Sequence, residues 1–230
     1  YVYANAPKGL IGSKIRFAKI SVGATENLII AASLAQGTTI LTNCAIEPEI
    51  KDLIVFLNKL GANINCNGRT ITILGSKVNK FKIIHKVIFD RIELGTYMIA
   101  CALAAKKSVT INNITPKIVK NEIDTLKKIG VQVKKKKSSI IITKNKNLKK
   151  INISTKPYPG FPTDLQAQLM VLLTQVKGVS KITEDIFENR FMHVPELKRM
   201  GAQIKIKGKT AIIKGPIKLT GAEVMATDLR

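Results

Sequence analysis

LNKLGANINCNGRTITI, residues 57–73, reads as a helix end, a glycine, and then a two-stranded hairpin with its turn in the middle. The same pattern recurs as LKKIGVQVKKKKSSIII at 126–142 and LKRMGAQIKIKGKTAII at 197–213. Gly61, Gly130 and Gly201 lie 69 and 71 residues apart, and each follows an apolar residue. A glycine in that place suits the left-handed position that closes a helix. A second landmark keeps the same period. In GTTILTN, KSVTINN and GVSKITE, the residues Thr38, Ser108 and Val179 are 70 and 71 apart. The chain is therefore read as repeated units of strand, helix, strand, helix, strand, strand. A period this long exceeds that of the common solenoids and favours α/β units packed into compact domains.

The first helix of each unit is expected to begin near Thr25, Gly95 and Asp164. Their runs (ENLIIAASLA, YMIACALAA, LQAQLMVLLTQ) are apolar nearly all round, as in helices buried on most sides. The second helices are expected after Pro48, after Pro116 and from about Phe191, and they look amphipathic.

Composition narrows the class further. Of 38 basic residues only six are Arg, and the net charge of +23 comes from Lys scattered among Ile and Asn. The densest stretch, 106–150, holds 14 Lys, but no aromatic side chains are interleaved to stack on bases. The run Lys134–Lys137 therefore reads as a solvated hairpin rather than a nucleic-acid strip. No apolar run reaches the ~18 residues of a membrane span, and YVYANAPKGL carries no secretory leader. Cys44, Cys66 and Cys101 lie in no paired or metal-type spacing, which suits small buried hydrophobes in a reducing cytoplasm. His85 and His193 show no partner in the sequence and read as packed histidines; Glu47 and Glu49 read as helix-start carboxylates.

The repeats differ where their first helices start: KISVGATEN (19–27), FDRIELGT (89–96), PGFPTDLQ (159–166), and AEVMATDLR (222–230), where a fourth begins. Helix N-termini offer free N–H groups and partial positive charge, so several around one cleft would hold a phosphorylated or carboxylated ligand. Lys19 precedes a glycine-containing start, Arg190 opens a second helix, and Asp164 and Asp228 both sit in Thr-Asp pairs. By its position Asp164 reads either as a helix cap or as a carboxylate aimed at chemistry.

KISVGATEN, EPEIKDLIVFLNKLGA, DRIELGTYMIA, GFPTDLQAQ, TEDIFENRFMHVPELKRMGA and VMATDLR closely resemble the UDP-N-acetylglucosamine 1-carboxyvinyltransferase family, with the blocks in family order. The resemblance implies an enolpyruvyl transferase fold: α/β, two inside-out barrels of repeated units, with helices inside and sheets outside. Residues 1–88 would end the first barrel domain, and 89–230 would form most of the second, truncated one. The substrate cleft would lie between them. The implied reaction moves the enolpyruvyl group of phosphoenolpyruvate to the 3-hydroxyl of UDP-N-acetylglucosamine, the first committed step of peptidoglycan synthesis. No motif calls for a metal or a cofactor, and neither nucleic acid nor membrane is implied as a partner.

Residue by residue, the resemblance places Lys19, Ile20, Ser21, Val22 and the neighbouring Gly23 on the UDP-sugar. It makes Asp164 the group that holds the sugar hydroxyl and takes its proton, and it places the Ile186 backbone on the sugar nucleotide. Arg190 and Arg230 fall on the phosphoenolpyruvate side, with Asp228 beside them. The family's reactive cysteine loop and its N-terminal Lys-Asn pair match nothing here, nor does the last part of its second domain. The chain is thus expected to be an internal fragment, inactive alone. Two alternatives remain at this stage: the sister enolpyruvylshikimate-phosphate synthases, which SVGATEN and FENRFMH disfavour, and a non-catalytic basic repeat module that binds nucleic acid.

Overall fold

Gly61, Gly130 and Gly201 all adopt positive φ, at 106°, 99° and 94°. The N–H of the next residue then reaches back five positions: Ala62 to Leu57 at 3.0 Å, Val131 to Leu126 at 2.9 Å, Ala202 to Leu197 at 2.9 Å. Each bond satisfies a carbonyl that the helix end would leave open and throws the chain into the hairpin.

The computed structural model describes residues 1, 3–76, 82–145 and 147–226. Contacts divide the chain into two units, Tyr1–Ile88 and Phe89–Arg230. The first holds one repeat: β1 (Lys14–Arg16), α1 (Val22–Ser33), β2 (Thr38–Thr42), α2 (Pro48–Lys59), β3 (Asn63–Asn67) and β4 (Thr70–Leu74). Its sheet runs β1-β2-β4-β3, with β1 parallel to β2 and the other pairs antiparallel. The core of this unit is built on Ile29, Leu41, Ile50, Ile71 and Ile73, each fully buried.

The second unit holds two repeats. One comprises α3 (Arg91–Ala104), β5 (Ser108–Asn112), α4 (Lys120–Ile129), β6 (Gln132–Lys135) and β7 (Ser139–Thr143). The other comprises β8 (Asn152–Ser154), a 3-10 turn (Thr163–Leu165), α5 (Gln166–Thr174), β9 (Gly178–Thr183), α6 (Val194–Arg199), β10 (Gln203–Lys207) and β11 (Thr210–Gly215). The sheet β10-β11-β9-β8 reproduces the first unit's order, again with one parallel pair, β8 with β9. One core runs through both repeats, and Met98, Ile123, Ile140, Leu165, Leu169 and Ile213 lie at its centre.

The structure departs from the expected pattern in several places. Among the described residues the middle repeat has three strands, β5-β7-β6, and none forms between β4 and α3. The β-like run around His85 instead lies against α2: His85 Nε2 is 3.2 Å from Asp52 Oδ2, and its ring meets Phe56 edge-on. His85 therefore has a partner that its sequence neighbours do not reveal. The helix starts also move. Ser21 and Asp90 cap α1 and α3 with their side chains, so these begin three and four residues before Thr25 and Gly95. After Pro116 a turn intervenes before α4, and α6 starts only at Val194. Burial separates the first helices too. α5 is enclosed nearly all round, but α1 leaves Ile30 and Leu34 half exposed, because one repeat alone does not surround its helix.

The Lys134–Lys137 run forms the exposed end of the β6–β7 hairpin. Among the described residues no helix is long and apolar enough to cross a membrane. The cysteines are packing groups. Burial above all, with Cys66 nearby, pushes the Cys44 thiol up to about 11, and burial also raises Cys66 and Cys101. Since the thiolate is the nucleophile, Cys44 should resist alkylation by iodoacetamide at pH 7.5 in the native protein and react on unfolding. Native labelling of Cys44 at the rate of a free thiol would contradict this.

Gly95 allows α3 to lie directly on the 3-10 turn. A Cβ there would sit 2.2 Å from Leu165 Cδ1, and Leu165 is fully buried with no room to withdraw. Gly95→Ala is expected to cost about 1–3 kcal/mol, read by denaturant melting, despite alanine's better helix propensity. An unchanged midpoint would show that the helix can slide.

Candidate functional site

In the first unit the segment Lys19–Gly23 leads into α1. Ser21 is extended (φ −139°, ψ 125°), and its Oγ accepts from Ala24 N at 3.3 Å. Its carbonyl accepts from the Thr25 hydroxyl at 2.7 Å, and that hydroxyl also takes the Ala45 N–H at 3.1 Å. The helix start is thereby pinned to the chain leaving β2, while Lys19, Ser21 and Gly23 stay exposed and Ile20 and Val22 are half-buried. A Cβ on Gly23 would meet no protein atom within 4 Å, so packing does not demand glycine there. Behind this start, burial together with Glu49 and Glu47 raises the Glu26 carboxyl. A helix start with an exposed lysine just before it suits an anionic ligand.

In the second unit the sequence residues Asp164, Ile186 and Arg190 come together. Asp164 does not stand at a cap position: Pro162 and Leu165 occupy those of the 3-10 turn and α5, and neither makes a side-chain cap bond. Its Oδ1 instead lies 2.7 Å from Arg190 Nη2, with the Asp164 side chain 32% exposed and that of Arg190 12%. Arg190 Nη1 donates to the Thr163 hydroxyl at 3.0 Å, and the guanidinium lies over the Phe187 ring at 5.3 Å. Gln166 Nε2 donates to the Arg190 carbonyl at 3.4 Å. The arginine is thus held on three sides, with its charge turned to a partly exposed carboxylate. The Ile186 N–H is committed to Glu184 Oε1 at 2.9 Å, so the backbone group it can offer a ligand is its carbonyl.

Three residues escaped the sequence reading. Glu184, 3% exposed, receives the Thr155 and Thr163 hydroxyls, both at 2.8 Å. Arg91 and Glu122 form a buried pair at 3.7 Å, with Arg91 also over Tyr158. Neither carboxylate carries a spacing signal; a Glu at a strand's end differs from a surface Glu only by burial. Asp228 and Arg230 lie outside the described residues. His193 immediately precedes α6, its ring against Phe191. Among the described residues no group of three or more His, Cys, Asp or Glu is arranged to hold a metal ion.

A family model described as EPSP synthase (3-phosphoshikimate 1-carboxyvinyltransferase) matches residues 2–230. Among curated relatives, the UDP-N-acetylglucosamine 1-carboxyvinyltransferase of Pelagibacter ubique is 59% identical over all of this chain and 55% of its own length. That of Caulobacter vibrioides is 48% identical over all of this chain and 54% of its own. The chain therefore spans about half the length of the curated relatives it matches. Among solved structures, the enolpyruvyl transferase NikO from Streptomyces tendae superposes with a TM-score of 0.75 at 25% identity. The superposition covers 84% of this chain and 46% of that one. Sequence and fold agree, and the chain belongs to the EPSP synthase family of enolpyruvyl transferases.

Proposed function

We propose that the polypeptide containing this chain transfers the enolpyruvyl group of phosphoenolpyruvate to the 3-hydroxyl of UDP-N-acetylglucosamine, releasing phosphate. The observation that carries this reading is Asp164: a carboxylate at the head of a buried helix that stays partly open to solvent and is held by Arg190. The acceptor and donor follow from the names of the relatives at 48–59% identity. In this reading residues 1–88 end one inside-out barrel and 89–230 supply most of the second. Three free cysteines fit a reducing cytoplasm.

The chemistry follows from the groups present. A sugar hydroxyl attacks poorly until its proton is withdrawn. As its oxygen bonds to C2 of phosphoenolpyruvate, the hydroxyl proton passes to Asp164 and the double bond's electron pair takes a proton from solvent at C3; loss of a C3 proton then expels phosphate and restores the double bond. Arg190 serves two masters in turn. Paired with Asp164 it holds that carboxylate in place. An anionic donor can draw the guanidinium to its own phosphate or carboxylate, which opens the Oδ1 side of Asp164 to the sugar hydroxyl. Lys19 and the backbone of Ser21–Gly23 hold the sugar nucleotide's phosphates, with Ile20 and Val22 lining that segment and the Ile186 carbonyl meeting the nucleotide. Arg230 and Asp228 complete the phosphoenolpyruvate side.

Asp164→Asn keeps the size and the acceptor for Arg190 while removing the base. In the complete gene product it should lower kcat about 10²–10⁴-fold with little change in melting temperature. Turnover within a few-fold of the parent would end the base assignment. Gly23→Ala tests the other locus, since the protein itself leaves room for the methyl. The variant should melt no lower than the parent yet bind UDP-N-acetylglucosamine at least about tenfold more weakly by calorimetry, about 1.4 kcal/mol. Parental affinity would remove this segment from the nucleotide site.

A further inference from the structure

The third repeat departs from the other two at the end of its middle strand. In the first, β2 is followed by Asn43 at φ 60°, and the next residue, Cys44, bonds from its N–H to the Arg69 carbonyl at 3.0 Å. In the second, β5 is followed by Asn113 at φ 61°, and Ile114 makes the matching bond to Ser138 at 3.2 Å. In the third no left-handed residue intervenes. Glu184 directly follows β9 and itself bonds to the Lys209 carbonyl at 2.8 Å. Asn43 Nδ2 ties this corner to the Phe17 carbonyl at 2.9 Å, just past β1. Glu184 ties the equivalent corner to Thr155, just past β8, but with a buried carboxylate. A neutral amide suffices for the fold, and burying a charge costs free energy unless it is fully hydrogen-bonded. The carboxylate must be there for something that an amide does not do.

Hydrogen-bond polarity shows what that is. Oε1 accepts from Thr155 Oγ1 at 2.8 Å, Ile186 N at 2.9 Å and Phe187 N at 3.1 Å. Oε2 faces Thr163 Oγ1 at 2.8 Å. Arg190 can only donate, so at Thr163 it takes an oxygen lone pair, and the single hydroxyl proton is directed to Oε2. The sequence runs one way: Arg190 to Thr163 to Glu184. Arg190 is thereby fixed with its other nitrogen on Asp164 at 2.7 Å. We infer that Glu184 is a positioning residue, setting the Asp164–Arg190 pair through the Thr163 hydroxyl. The inference rests on the enolpyruvyl-transfer reading only for what Asp164 does to substrate.

Glu184→Gln isolates the polarity. Two backbone N–H groups require an oxygen at the Oε1 side, so the new amide NH2 faces Thr163 and opposes its proton. Thr163→Val removes the hydroxyl while keeping the shape, and Thr163→Ser restores it. In the complete gene product Glu184→Gln and Thr163→Val should each lower kcat about 10- to 100-fold with KM for both substrates within about threefold. Thr163→Ser should stay near the parent. Independently of activity, exchange of the Arg190 guanidinium protons, followed by NMR, should quicken in Glu184→Gln and Thr163→Val and remain parental in Thr163→Ser. Thr163→Ser as impaired as Thr163→Val would overturn the inference, as would parental kcat and exchange in Glu184→Gln. Should Glu184→Gln fail to fold, the Thr163 pair decides. A parent that transfers no enolpyruvyl group defeats the functional reading alone, and the exchange series still judges the role of Glu184.

Discussion

A helix that is apolar on every side can meet water only at its ends. α5 comes close to this: Leu169, Met170, Leu172 and Leu173 are all fully buried, on more than one of its faces. Its polar neighbours therefore gather at its N-terminal end, where Thr163, Asp164 and Gln166 meet Arg190. α3 and α1 likewise begin on polar side chains, Asp90 and Ser21, although their bodies are less enclosed. Burial of the helix bodies and placement of polar chemistry at their starts are two sides of one requirement, because an unpaired polar group inside would be costly.

Repetition then divides the labour. The glycine stops and hairpins are nearly the same in all three repeats, down to the bond that reaches five residues back. The helix starts and strand ends are not. Asn43 and Asn113 close their corners in the left-handed region, where Asn is well tolerated, whereas the third repeat puts Glu184 at that corner. Variation falls at helix starts and strand ends and not where backbone geometry must be repeated.

Charge follows the same division. The lysines are spread over the surface, and the Lys134–Lys137 run sits on an exposed hairpin. The scarce arginines include three turned inward: Arg69 on the Cys44 carbonyl, Arg91 on Glu122, and Arg190 on Asp164 and Thr163. A planar guanidinium with a fixed fork of donors suits such multi-partner positions, and a flexible ammonium does not. The net charge of +23 says little about function, while the placement of single arginines says a great deal.

The sequence by itself determined the repeat, the glycine stops, the hairpins and the position of Asp164 at the head of an apolar helix. All of these are local signals, carried by periodicity and by residues with special backbone freedom. That residues 82–88 form no strand was illegible, because whether they pair in a sheet depends on α2, some thirty residues earlier, where Asp52 and Phe56 hold His85. The role of Asp164 was likewise undecided: cap and carboxylate partner share one sequence signature. Only the tertiary structure brought Arg190 to it from 26 residues away and buried Glu184 beneath them both. Long-range pairing of charges leaves no period in a sequence, since it is set by where folded elements meet.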